Sequence, residues 1–384
     1  MAYSPGALIA PRFTRAGEGS VVSPNERTLL RLIWRNPGIS RSEITAHVDL
    51  TQQSVYRIID QLVERGIVAL GAPKPGHGRG QPSPTLRLDG RYAYCCGISV
   101  NTDVIGICLM DIAGRILAET QVTLREYGMM EALDLVMKEL KAHQASNALD
   151  PSSFFGIGFA ISGYHVGGTR YNAPLPLHEW SLIELGPLLS DLFGKPVWVH
   201  NGANTGAIAE SMFGIGRFIK HFAYLSFNYG FGGGLISDGE LLVGGNGNAG
   251  EFSGIYDEEE NPRRPALQYL IERLRGNGVE VPSITYMRQH FDPRWPGVEE
   301  WVDLVTPAYN RLINAISAVF DPQAIVFGGQ VPVALAQMLI ERTRIFGRPR
   351  YGVPHPPAKL IISDIGGDAS ALGASVFPFR AEFY

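Results

Sequence analysis

The stretch "PVWVHNGANTGAIAE", Pro196–Glu210, decides the fold. Val197, Trp198 and Val199 form an apolar run of the kind found in a strand buried on both faces. Asn201-Gly202 then turns the chain sharply, and a helix begins. A buried strand running straight into a helix is one unit of an α/β protein. Such turns often carry a catalytic side chain. This one offers His200, Asn201, Gly202, Ala203 and Asn204, and no carboxylate.

Similar units lie on either side. "YCCGISV", "DVIGICLMDIAG" and "RILAETQVTL" read as three β runs, followed by a helix at Met129 to Ala145. "FFGIGFAIS" is a buried strand and "SLIELGPLLSDLFG" a helix. The cycle repeats with "HFAYLSFNYG", "GFGGGLISDG" and "ELLVGG" as a second meander. A helix-rich region spans 266–320, then come strand "AIVFGG", a helix from Val333, strand "KLIISDIG" and a closing helix "ASALGASVF". Two meander-plus-βα halves predict a duplicated α/β body with a cleft between them.

The first ninety residues differ. Leu29, Leu30, Ile33 and Trp34 mark one helical stripe, stopped by Asn36-Pro37-Gly38. Ser40 with Glu43 has capping-box spacing and opens a second helix. Thr51 is the N-cap of a third, from Gln52 to Arg65, with Val55, Ile58, Ile59, Leu62 and Val63 inward and Gly66 at its end. With "GIVAL" and "PTLRL" behind them, the three helices predict a winged helix-turn-helix. Its third helix presents Thr51, Gln52, Gln53, Ser54, Tyr56 and Arg57 for the DNA major groove, and Gln and Arg suit adenine and guanine edges. Arg79, in the wing tip "KPGHGRGQP", would reach a phosphate or minor groove. A protein-interaction domain, and for the wing a plain linker, are the competing readings.

The charge split agrees with a DNA-binding head. Residues 1–90 carry 11 Lys and Arg against 7 Asp and Glu, and the remainder 22 against 30. Hydrophobic residues make up 45% of the 384-residue chain, enough for two or three domains with real cores. No apolar run reaches the ~18 residues of a membrane helix. The N-terminus reads as a flexible tail rather than a secretion signal. Cys95, Cys96 and Cys108 sit in strand-like runs without metal spacing, which suits buried thiols in the cytoplasm.

The head, "VHNGAN", the glycine-rich "GFGGGLISDGELLVGGNGNAGEF", "FDPQAIVFGG" and "GDASALGASVF" together resemble the ROK family of repressors and sugar kinases. The resemblance runs from about Ser23 to the C-terminus and implies a duplicated, ribonuclease H-like, actin-like sugar-kinase fold behind the winged helix. The expected divisions are a tail at 1–22, the head at 23–90, and a first lobe at 91–200 completed by helix 368–384. The second lobe spans 201–367. In the family, sugar and ATP bind in the interlobe cleft.

The departures fall on the chemistry. Family kinases carry Asn-Asp where this chain has Asn201-Gly202, and that Asp accepts the sugar hydroxyl's proton. His200 faces away from Asn201 on a period-two strand. The first phosphate hairpin has Ser99 for an acidic residue and Asn101 for a glycine, and the second loop reads Asn228-Tyr229-Gly230-Phe231-Gly232. The family's zinc ligands are replaced by "FSGIYDEEENPRRPALQYL" after Gly250-Glu251, with no His or Cys. No catalytic residue, cofactor or metal is therefore expected. Ser162, Gly163, Asn172, Asn201 and Glu251 match sugar-binding positions, and Trp180 is expected to stack on a sugar face. The competing reading is that Asn201 and Glu251 only hold the loop together. The resemblance implies a cytoplasmic repressor of carbohydrate genes that binds a palindromic operator as a homodimer or homotetramer and senses a sugar or sugar derivative. The alternatives are a sugar kinase that keeps its head and a ligand-independent DNA-binding protein.

Overall fold

A computed structural model of the chain describes residues 9–13, 21–73, 83–124, 127–347, 349 and 351–384. The head is α1 (Pro24–Arg35), β1 (Ile39–Ser40), α2 (Arg41–Thr45), α3 (Gln52–Glu64), β2 (Val68–Pro73) and β3 (Pro84–Leu88). Capping boxes start its first two helices. Ser23 Oγ accepts from the Glu26 N–H while the Glu26 carboxylate accepts from the Ser23 N–H, and Ser40 and Glu43 repeat the arrangement. Thr51 caps α3 and Gly66, at φ 73°, lets the chain leave it. The strands pair antiparallel in the order β1-β3-β2, so the wing's base is present.

The first lobe contains β4 (Tyr94–Val100), β5 (Val104–Asp111), β6 (Ile116–Thr123), α4 (Met129–Ser146) and β7 (Phe154–Ile161). It continues with the hairpin β8 (Tyr164–Gly167) and β9 (Arg170–Asn172), then α5 (Leu185–Phe193) and β10 (Val197–Asn201). The next elements are α6 (Gly202–Met212), β11 (Phe222–Phe227), β12 (Phe231–Ser237) and β13 (Glu240–Leu241). Helices α7 (Leu267–Gly276), α8 (Ile284–His290) and α9 (Val298–Phe320) precede β14 (Ala324–Gly329), α10 (Val333–Glu341), β15 (Lys359–Ile362) and α11 (Ala369–Glu382).

The duplication is visible in strand order. The first sheet runs β10-β7-β4-β5-β6 and the second β13-β12-β11-β14-β15. Each is an antiparallel meander of three strands extended by two parallel ones. Helix α11 covers β4 and β7, α6 covers β11 and β12, and the two helices pack on each other between the sheets. That contact is close because glycines sit at the crossings. A Cβ on Gly158 would lie 1.8 Å from the Ala374 carbonyl oxygen, and one on Gly373 1.8 Å from that of Thr205.

Two expectations change. In "ELLVGG" only Glu240–Leu241 pairs as strand. Trp180 does not face a ligand: it is 2% exposed and stacks on Phe159 in the first lobe's core, at 5.9 Å between centroids. The 3₁₀ turn Leu175–Trp180 carries it inward, beside Leu177. No helix among the described residues is long and apolar enough to cross a membrane.

Candidate functional site

Helix α3 shows a polar outer face. Thr51, Gln52, Gln53 and Arg57 are exposed, while Val55, Ile58, Ile59 and Leu62 are buried. Thr51 and Ser54 are partly engaged with each other: Ser54 N–H donates to Thr51 Oγ1, which donates to Ser54 Oγ. Tyr56 lies under the Arg41 guanidinium, 5.5 Å from its ring centroid, and Arg41 pairs with Asp60 at 2.5 Å. Gln52, Gln53 and Arg57 therefore have the most freedom to reach a base edge. Arg79 and the rest of the wing tip lie outside the described residues.

At the turn after β10, all the hydrogen-bonding capacity of one amide is used. Asn201 Oδ1 accepts from the Ala203 and Asn204 N–H groups at 2.7 and 3.2 Å, which makes it the N-cap of α6. Its Nδ2 donates to the Gly163 carbonyl at 2.8 Å and to Glu251 Oε1 at 3.0 Å. Asn201 thus ties strand, helix, the 162–163 loop and the glycine-rich segment of the second lobe. Gly163 has φ 129°, and a Cβ there would meet the Asn172 carbonyl oxygen at 2.4 Å. Asn172 Nδ2 donates to Tyr164 Oη at 2.5 Å. Burial pushes the Glu251 carboxyl up from the usual range. Asn201, Gly163 and Glu251 come together directly, and Asn172 stands behind Gly163. Ser162 instead lines the neighbouring space between the phosphate loops.

His200, one residue earlier, is turned away as the strand period requires. Its ring packs on Phe377 at 3.7 Å between centroids, and its Nε2 is buried without a hydrogen-bond partner. Burial pulls its pKa down to about 3, so the imidazole is neutral.

The first phosphate hairpin is filled from inside. Asn101 Nδ2 donates to Asp368 Oδ2 at 2.9 Å and to Ser99 Oγ at 3.3 Å. Asp368 is buried and caps α11 through the Ser370 and Ala371 N–H groups. Across the cleft, Asn228 and Tyr229 offer their carbonyls to the Leu267 and Gln268 N–H groups. About 10 Å³ remains between Asn101, Ser162, Asn228, Tyr229 and Gln330, room for one water at most. The lobes are also latched. Asp103 Oδ2 accepts from the Thr285 N–H at 2.9 Å, and Asn248 exchanges two hydrogen bonds with the backbone of His165. A separate cavity of about 350 Å³ opens beyond the C-terminal ends of β14 and β15, beside Arg288, Gly329, Ser363 and Asp364.

Residues 95–263 match the ROK family, and residues 23–69 match a winged helix-turn-helix DNA-binding family. The chain carries a ROK domain behind a winged helix-turn-helix. A xylose repressor of Bacillus spizizenii is 25% identical over 392 residues, covering 94% of this chain and 96% of that protein. The structure of a ROK family transcriptional regulator, a homolog of the E. coli MLC protein, aligns with TM-score 0.69 and 19% identity. It covers 93% of this chain and 95% of that one. A ROK family glucokinase from Streptomyces griseus, solved with glucose and AMPPNP, aligns with TM-score 0.57 and 18% identity over 74% of this chain and 99% of its own. The actin-like sugar-kinase fold of the ROK domain is thereby shared with both regulators and kinases.

The head is not hung on a free linker. Leu29, Ile33 and Leu62 share one apolar cluster with Phe155, Trp198, Phe379 and Phe383 of the ROK domain. Arg27 donates to the Arg380 and Ala381 carbonyls at the end of α11, at 3.2 and 2.8 Å. Trp34 stacks on Tyr384 and meets Phe213 edge-on. Glu240 is surrounded by three arginines: Arg380 at 2.5 Å, and Arg31 and Arg35 at 3.6 Å. These contacts had no local sequence signal, because their partners are hundreds of residues apart. Among the described residues, no three His, Cys, Asp or Glu side chains converge to hold a metal. Cys95, Cys96 and Cys108 are free and buried, and burial raises all three thiol pKa values.

Proposed function

We propose that this chain is a DNA-binding transcriptional repressor of carbohydrate genes whose ROK domain senses a sugar or sugar derivative without phosphorylating it. The observation that carries this reading is the head's double attachment. Helix α1 touches α11 of the first lobe and β13 of the second. A ligand that changes the angle between lobes must therefore strain or release one head contact. Differential affinity for the two lobe arrangements then becomes differential affinity for DNA. A dimer would bind a palindromic operator, and reorienting the heads would spoil their half-site spacing.

Three features support sensing over catalysis. Gly202 supplies no base, Asn101 is bonded into the space of the first phosphate loop, and the pocket that Asn101 and Ser162 share with Asn228 and Tyr229 holds only about 10 Å³. Because Asn201 and Glu251 are engaged with each other, a sugar at this turn would have to displace that hydrogen bond, so ligand entry couples to the 162–163 loop.

The direct test selects a duplex from a random library, then titrates it with and without xylose, glucose and N-acetylglucosamine. An affinity that moves with one sugar is expected. Equal affinity throughout, with no thermal stabilisation by any sugar, sinks the sensing half. Catalysis is tested separately by sugar-dependent ATP consumption in wild type and Gly202→Asp. A Cβ at Gly202 meets nothing closer than 3.7 Å, so the backbone accepts a side chain there, and a melting curve checks that the variant folds. Neither protein is expected to turn over, because the phosphate space stays filled. Turnover in either makes this a kinase.

A further inference from the structure

A second candidate site lies outside the interlobe cleft. A groove of about 950 Å³ opens between the head and the first lobe. Trp34, Ala69 and Arg87 line it from the head, and Tyr94, Asp111 and Arg115 from the ROK domain. Its size is that of small-molecule sites. The exposed face of α3, marked by Gln52, Gln53 and Arg57, borders a different surface, so DNA and this groove do not compete for residues.

The charges in the groove are unevenly satisfied. Its carboxylates are engaged locally. Asp89 takes the Arg91 guanidinium at 3.0 and 2.8 Å as well as the Arg91 N–H. Asp111 accepts the Ala113 and Arg115 N–H groups, both at 3.0 Å. Asp150 accepts the Ser152 N–H at 2.8 Å and its hydroxyl at 2.6 Å. Arg12 is held by Ser152, Ser153 and the Tyr92 carbonyl. Two guanidinium groups are left. Neither Arg87 nor Arg115 has a side-chain hydrogen bond or ion pair among the described residues; each feels an aspartate only beyond ion-pair distance. Both are exposed residues of the groove wall, one on β3 of the head and one on the turn before β6. The wall also holds Trp34, whose buried Nε1–H lacks an acceptor.

We propose that this groove binds a small phosphate-bearing molecule, with Arg87 of the head and Arg115 of the ROK domain as its ligands. Guanidinium forks match phosphate oxygens in pairs, and no carboxylate of the groove lies within ion-pair distance of these two. An anion held by both would tie the head to the first lobe. It would favour one head orientation without entering the sugar cleft, so this site stands apart from the sensing reading above.

The test is calorimetric titration of the full chain, without DNA, using inorganic phosphate, glucose 6-phosphate and glucose. Wild type is expected to bind a phosphate-bearing probe. Arg87→Gln and Arg115→Gln, both at exposed positions, are each expected to weaken it about tenfold or more. Any glucose binding should be unchanged in these variants. Equal affinity for inorganic phosphate and glucose 6-phosphate assigns the site to free phosphate; clear preference for the latter assigns it to a phosphorylated sugar. The proposal falls if neither probe binds by about 10 mM, a Kd too weak to matter. It also falls if both variants bind as wild type does, because the anion then sits elsewhere.

Discussion

Asn201 does four things at once, and its two ends can be separated by a single substitution. Asn201→Asp keeps the oxygen that caps α6 but replaces the amide donor facing Gly163 and Glu251 with a second oxygen. Two carboxylates would then share one partly buried space, with a carbonyl beside them. We expect a loss of about 2–4 kcal/mol at neutral pH, partly recovered in acid as one carboxyl takes a proton. Denaturant melts at pH 7 and pH 5 check this; a variant as stable as wild type at both would remove the interlobe tie at Glu251. His200 gives the opposite pH slope. Its unfolded form takes a proton near the ordinary pKa of ~6.5, whereas its folded form resists until about 3. In that window the unfolded state binds more protons, so stability is full above the window and falls as pH drops. The expected loss approaches about 1.4 kcal/mol per pH unit below ~6. His200→Phe should flatten that acid limb, keeping the ring contact with Phe377. An unchanged limb would show that other groups set it.

At the scale of elements, the crossing of α6 and α11 joins the two lobes through a close helix–helix contact. Each lobe contributes one helix to it, and backbone meets backbone at Gly373. Gly373→Ala must push the Thr205 carbonyl away, and neither helix can yield without moving its sheet. Overpacking of this kind costs typically about 1–3 kcal/mol, and we expect the upper end. Thermal unfolding measures it, and a neutral result would mean that the two lobes separate freely. Much of this level was legible in the sequence. Capping signals at Ser40 and Thr51, and Gly66, placed the head's helices to within a residue or so, because those signals act over three or four positions. The duplicated strand order followed from repeated patterns. The hairpin Tyr164–Asn172 was not anticipated, since its two short arms around Gly167-Gly168 carry no alternation. Trp180 was misplaced because a 3₁₀ turn has no sequence period long enough to show which side is buried. The Asn101–Asp368 bond spans 267 positions, and only three-dimensional folding joins them.

At the scale of the whole molecule, Glu240 is where three parts meet. It comes from the second lobe's edge strand, Arg380 from the helix of the first lobe, and Arg31 and Arg35 from the head. Arg380 is well buried, and burial lowers its pKa while Glu240 holds it up. With the glutamate removed, three guanidinium groups face one another without a counter-charge. Glu240→Ala should therefore cost about 1–3 kcal/mol, more than an exposed pair would. The loss should be felt first in the head, which would then keep Arg27 on the end of α11 and Trp34 against Tyr384 and Phe213. Amide exchange separates this from uniform weakening. The variant is expected to exchange faster in α1 and β13, with β4 and β7 unchanged, and its DNA affinity should respond less to whatever ligand moves the wild type. If α1 exchanges at the wild-type rate, the second lobe has no grip on the head through Glu240. A signal would then have to pass by way of α11, or through the apolar contact of Trp34 with Phe213 at the end of α6.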